Sequence, residues 1–144
     1  MPAATHTVTI PAAPDAVFAF LADGENAPSW RPGVLDIKHV SGAGVGASYA
    51  QGVKGPGGRR IAADYEVTAY DPPRRLAFKA TAGPVRPEGE YVLEPADGGT
   101  KLTFSLHADL SGLKGLILGR SVQSTMDSEV HAIERIQAAM SGAG

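Results

Sequence analysis

The chain has no cysteine among its 144 residues, which removes disulfides, thiolate nucleophiles and every cysteine-based zinc or iron–sulfur site at once. Net charge is scarce too: 13 basic and 15 acidic residues leave a formal charge of -2. Scattered as those charges are, they create no field to steer nucleic acid or anionic lipid. The longest uninterrupted aliphatic run, Leu116-Ile117-Leu118, is far below the length that spans a bilayer. Met1 to His6 carries neither the basic segment nor the apolar core of a signal peptide. The expectation is a cytoplasmic protein, held together by packing, that binds no nucleic acid and makes no stable membrane insertion.

What is present is ordinary globular material, 43% hydrophobic and 19% charged, at a length that suits one domain over residues 1–144. Thr5 to Ile10 alternates threonine with His6, Val8 and Ile10, the period-two pattern of a strand with one buried face. Pro14 and Asp15 then suit a helix start. Val17, Phe18 and Leu21 follow at helical spacing to Ala22, and Asp23-Gly24 ends the helix. Between Asn26 and Gly33 there is room for one more short helical turn.

From Val34 the texture becomes a meander of short runs divided by turn residues. Six strands are predicted: Val34 to Val40, Ala47 to Val53, Arg60 to Tyr70, Arg75 to Thr81, Glu88 to Glu94 and Lys101 to Asp109. After them Val122, Met126, Val130, Ile133, Ile136 or Gln137, and Met140 recur at helical spacing, with Gln123, Asp127, Glu134 and Arg135 on the polar side. Gly112, Gly115 and Gly119 weaken the start of that helix, which is placed firmly from about Gly119. The segment 112–119 reads as a mobile mouth to an internal space.

This order gives an α+β domain: a seven-stranded curved antiparallel sheet wrapped around a long C-terminal helix, with two short helices between strands 1 and 2. A curled sheet with inward residues of mixed size leaves a gap against the helix. On the third meander strand Ile61, Ala63, Tyr65, Val67 and Ala69 share a face, and several are small. Tyr65 and Tyr91 bring hydroxyls that suit a pocket with a few polar groups in an apolar lining.

Several strings, in their order, resemble the START-like superfamily of polyketide cyclases/dehydrases and lipid-transfer proteins, also known as SRPBCC. They are Ile10 to Phe18, Trp30-Arg31-Pro32-Gly33-Val34, Gly44-Val45-Gly46, Tyr70 to Phe78 and Gly98 to Leu102. The resemblance covers nearly the whole chain. It implies a helix-grip fold with a ligand cavity between sheet and terminal helix, while members differ in activity. In aromatase/cyclase members the pocket is rich in tryptophan and carries an arginine, and Trp30 and Tyr91 fall where such members place pocket aromatics. The strand from Arg60 to Tyr70 offers Val67 and Ala69 where a cationic or polar group would be wanted.

The leading expectation is a non-catalytic carrier of a small hydrophobic ligand, lined by Trp30, Tyr65, Val67, Phe78, Tyr91, Leu93, Phe104, Leu106, Met126 and Val130. A cyclase- or dehydratase-like enzyme is the alternative, with Tyr65, Tyr91, Gln51 or His107 as acid–base candidates. A protein-interaction module is the third reading, and a homodimer is left open. Gly42-Ala43-Gly44-Val45-Gly46-Ala47 fits a dinucleotide-binding pattern, but a strand rather than a helix follows it, so it reads as a hairpin turn. Gly46-Ala47-Ser48-Tyr49-Ala50 likewise falls short of a nucleophile elbow. His6, His39, His107 and His131 are isolated in sequence, with no pair at metal-ligand spacing. No metal or other cofactor is expected.

Overall fold

The computed structural model describes residues 3–83, 86–108 and 115–141, the side chains of residues 56 and 115–122 excepted. The alternating start of the chain forms β1 (Ala3–Ile10), and Pro14 opens α1 (Pro14–Ala22), whose buried side is Val17, Phe18 and Leu21. A 3₁₀ helix, Gly24–Ser29, follows at once, its first turn capped by the Asp23 carboxylate accepting from Glu25 N. The meander then runs β2 (Val34–Ser41), β3 (Ser48–Lys54), β4 (Arg60–Ala62), β5 (Tyr65–Asp71), β6 (Arg75–Ala80), β7 (Glu88–Ala96) and β8 (Gly99–His107). The C-terminal helical segment comprises α2 (Gly115–His131), a 3₁₀ turn (Ala132–Arg135) and α3 (Ile136–Met140).

Seven strands form a curled antiparallel sheet in the order β1-β8-β7-β6-β5-β3-β2. The short β4 hangs off this path and pairs with β3. The fold is therefore the expected helix grip, with α1 and the first 3₁₀ helix between strands 1 and 2.

One expected strand differs. Arg60 to Tyr70 is broken at Ala63-Asp64, because the Asp64 carboxylate accepts from Gln51 N at 3.0 Å, a position a neighbouring strand's carbonyl would otherwise fill. Ala63 N still donates to Gln51 O at 2.8 Å, so the chain stays attached while it bends. A second irregularity between Val67 and Ala69 adds to the curl. The helix also begins earlier than its glycines suggest, at Gly115. Residues 112–114 of the expected mobile mouth, and the side chains of the rest of it, lie outside the described residues.

The apolar stripe of the helix is seated as its spacing requires. Met126, Val130, Ile133 and Ile136 are buried, while Asp127, Glu134, Arg135 and Gln137 face outward. Gly42 to Ala47 turns between β2 and β3 with Gly42, Gly44 and Gly46 at positive φ, which is the hairpin reading of that glycine-rich run. The edge strand β2 ends the sheet, and there the His39 amide donates to Glu25 Oε2 at 3.1 Å.

Two of the histidines that are far apart in sequence meet in one place. His6 on β1 stacks on His131 at 4.0 Å between ring centroids, and its Nε2 lies 2.7 Å from Glu134 Oε2. Together with Gln123 Nε2, which donates to Ala3 O at 2.7 Å, this fastens β1 to the terminal helices.

Candidate functional site

The concave face of the sheet carries a chain of aromatic rings running across five strands. Tyr91 (β7) stacks on Phe104 (β8) at 4.3 Å, and Phe104 lies 6.2 Å from Phe78 (β6). Phe78 lies 5.4 Å from Tyr65 (β5), which stacks on Tyr49 (β3) at 5.0 Å. Trp30 closes the other end, edge-on to Tyr91 at 6.4 Å. Glycines make the space for three of these rings. A Cβ on Gly89 would run into the Phe78 ring and Leu106, and one on Gly24 would collide with the Tyr65 hydroxyl and the Tyr49 ring.

Of the sequence-derived lining residues, Trp30, Tyr91, Phe104, Tyr65 and Phe78 belong to this ring chain. Val67, Leu93, Leu106, Met126 and Val130 lie in the same buried cluster. His107 does not join them: half of its side chain is exposed, 3.7 Å from Glu88 on the next strand. Gln51 does, being only 4% exposed.

The cationic group missing from β5 comes instead from the turn after the 3₁₀ helix. Arg31 points inward beside Trp30, and its Nε donates to Glu129 Oε2 on α2 at 2.9 Å while Nη1 donates to Gln51 Oε1 at 3.0 Å. Gln51 in turn donates through Nε2 to Ala63 O at 3.1 Å. The Arg31 and Glu129 side chains are 14% and 18% exposed, so this is a largely buried ion pair between the turn and the helix. The guanidinium lies 5.9 Å from the Trp30 ring centroid. Burial by itself pulls the Arg31 guanidinium down, but the Glu129 carboxylate, with help from Tyr91 and Tyr65, holds it above its usual value. It is a permanent cation here.

Neither Arg31 nor Glu129 was singled out from the sequence. The signals were present: Arg31 sits between a tryptophan and a helix-breaking proline, and Glu129 adjoins Val130 on the apolar stripe. Each is a common charged residue whose direction depends on a turn or on helix phase, which spacing alone leaves undetermined.

Burial pushes the Tyr65 and Tyr91 hydroxyls well above the ordinary phenol range, although Arg31 pulls both back. They are therefore hydrogen-bond donors at neutral pH. An unfolded tyrosine ionises near about 10. The stability these two contribute is complete below that pH and is lost as pH rises toward their folded values. In an alkaline titration followed by tyrosinate absorbance, two of the four tyrosines should ionise only as the protein unfolds. Ionisation of all four with the fold intact would contradict the assignment.

Two hollows are described at the surface. One of about 300 Å³ lies between α1 and the β5–β6 turn, lined by Asp15, Phe18, Ala19, Tyr70, Pro72 and Pro73. The other, about 190 Å³, lies by the β2–β3 turn against Tyr49, Val67 and Tyr70. Among the described residues neither is the chamber expected between the ring chain and α2, where the side chains are packed, so a ligand seated there has to part them to enter.

Comparison with known proteins agrees with the fold. A family model described as polyketide cyclase/dehydrase and lipid transport matches residues 1–137. Uncharacterized proteins of Mycobacterium bovis and Mycobacterium tuberculosis are 28% identical over 111 residues, 74% of this chain and 65% of their own length. The match thus spans slightly less than two thirds of those relatives. Among solved structures, a Thermus thermophilus protein superposes with a TM-score of 0.83 at 21% identity over 99% of both chains. A START superfamily protein from Mycobacterium smegmatis gives 0.74 at 14% identity over 99% of both chains. The ZhuI aromatase/cyclase from Streptomyces sp. R1128 gives 0.69 at 20% identity, covering 98% of this chain and 92% of that one. At these identities the structures speak for the fold.

Proposed function

Because the chain belongs to the polyketide cyclase/dehydrase and lipid transport family, we propose that it acts as one START-like domain that binds a small hydrophobic molecule between the ring chain and the C-terminal helix. The observation that carries this reading is a largely buried guanidinium, Arg31, held by Glu129 and Gln51 beside Trp30 at the end of an otherwise aromatic and aliphatic wall. Small-molecule sites are built in this way, with apolar area for affinity and a few fixed polar groups for orientation. Nothing in packing alone requires a guanidinium there, since a buried ion pair is at best neutral for stability compared with apolar residues of the same volume.

The same guanidinium favours a second reading, cyclase-like chemistry. A fixed cation and two phenol donors aimed at a carbonyl oxygen would stabilise the negative charge that develops when a neighbouring carbon loses a proton.

Trp30, the single tryptophan, is 4% exposed and in contact with the ring chain, so its fluorescence reports on the site. Titration with acetylnaphthalene or dodecanol is expected to change Trp30 emission saturably. Native mass spectrometry of the freshly purified protein should show a co-purified hydrophobic compound. A protein that is ligand-free as isolated and shows no saturable response to either class would overturn the reading.

A further inference from the structure

The ion pair in the site bears on which ligands it accepts. We infer that Glu129 is a specificity-determining residue: by neutralising Arg31 within the site, it selects uncharged oxygen-bearing ligands and excludes anionic amphiphiles such as fatty acids. This rests on the binding function proposed above.

Arg31 and Glu129 make a cation and an anion 2.9 Å apart, each largely removed from water, and among the described residues the other groups that act on Arg31, namely Gln51, Tyr65 and Tyr91, are uncharged at neutral pH. The net charge of this group is zero. A ligand carboxylate seated on Arg31 would put a second anion beside Glu129 in a poorly solvated space, where two carboxylates cannot share one cation without cost. A ketone, ester or alcohol oxygen can accept from the same donors without adding charge.

Glu129 is also poorly placed to withdraw. Its other oxygen, Oε1, lies against Gly33, where an added Cβ would sit 3.3 Å away. Arg31 is fixed from two further sides, by Gln51 and by the Trp30 ring. Fixed charges discriminate better than mobile ones, because they do not relax around the wrong ligand.

The test compares matched pairs at neutral pH, acetylnaphthalene against naphthoate and dodecanol against dodecanoate, by Trp30 fluorescence and calorimetry. The wild-type protein is expected to bind the neutral member of the better-fitting pair at least about tenfold more tightly, the scale of one uncompensated charge contact. Glu129→Gln keeps an acceptor for Arg31 but removes the anion, and should erase or invert that preference. The double variant Arg31→Gln/Glu129→Gln, uncharged throughout, should not gain affinity for the acid.

Equal binding of acid and neutral ligand by the wild type would overturn the inference while leaving the binding function intact. That comparison needs no variant, so poor folding of Glu129→Gln would not protect the idea. An unchanged preference in a folded Glu129→Gln protein would overturn it as well. Failure of wild-type protein that is ligand-free as isolated to bind either member of both pairs would overturn the binding function, and the selectivity with it.

Discussion

Replacing Gly99 with alanine is expected to destabilise the protein by more than about 4 kcal/mol, a loss large enough to leave little folded material. Gly99 opens β8 where that strand passes under the junction of β1 and α1. A Cβ there would meet the Ile10 carbonyl oxygen far inside van der Waals contact, and would lie 2.9 Å from both the Ile10 carbonyl carbon and Pro11 Cα. These are backbone atoms, so no rotamer change relieves the clash. The backbone is pinned as well: Ile10 pairs with Thr100, and the buried Thr100 hydroxyl donates to Ala12 O at 2.7 Å. Gly98 provides the control. It has φ 77° with nothing near its absent side chain, so Gly98→Ala should cost only about 1–2 kcal/mol of left-handed backbone strain. Urea unfolding of the two variants side by side would decide the matter, and equal midpoints would refute the clash argument.

The second large effect is expected from Arg31→Met. It leaves the Glu129 carboxylate without its cation in a site that is 18% exposed, and leaves Gln51 Oε1 without its donor. Breaking a buried pair from one side typically costs about 3 kcal/mol or more. The variant Arg31→Met/Glu129→Leu should recover most of that loss, because well-packed apolar residues replace such pairs with little penalty. Recovery would mean that the pair serves something other than stability. A double variant no more stable than Arg31→Met would show that the charge balance described for the site is wrong.

The sequence was most informative where a period or a turn chemistry had a single solution. The alternation of β1, the limits of α1 at Pro14 and Ala22, and the stripe Met126, Val130, Ile133 and Ile136 were legible because each follows from one repeat length. The break in the strand from Arg60 to Tyr70 was not. It depends on a side chain, Asp64, taking a backbone hydrogen bond from another strand, and nothing in the alternation of that segment encodes it. The site divides in the same way. Most of its aromatic wall could be read, because large rings on inward strand positions have few other places to go, though Tyr49 on β3 was missed. Its charges could not, since the direction of Arg31 is set by the turn after Ser29 and that of Glu129 by its phase next to Val130.

One contact at the rim of the sheet guards the outer edge of β2. An unpaired outer strand normally offers its amides to any extended neighbour, and repeated pairing of that kind builds fibres. Here Glu25 occupies the amide of His39, and two register breaks flank the middle of the same strand. A newcomer would have to evict a carboxylate and straighten two kinks before its first ladder bond formed. Pairing along this edge thus meets a stopper, set by a residue from a helical turn rather than by the strand it guards.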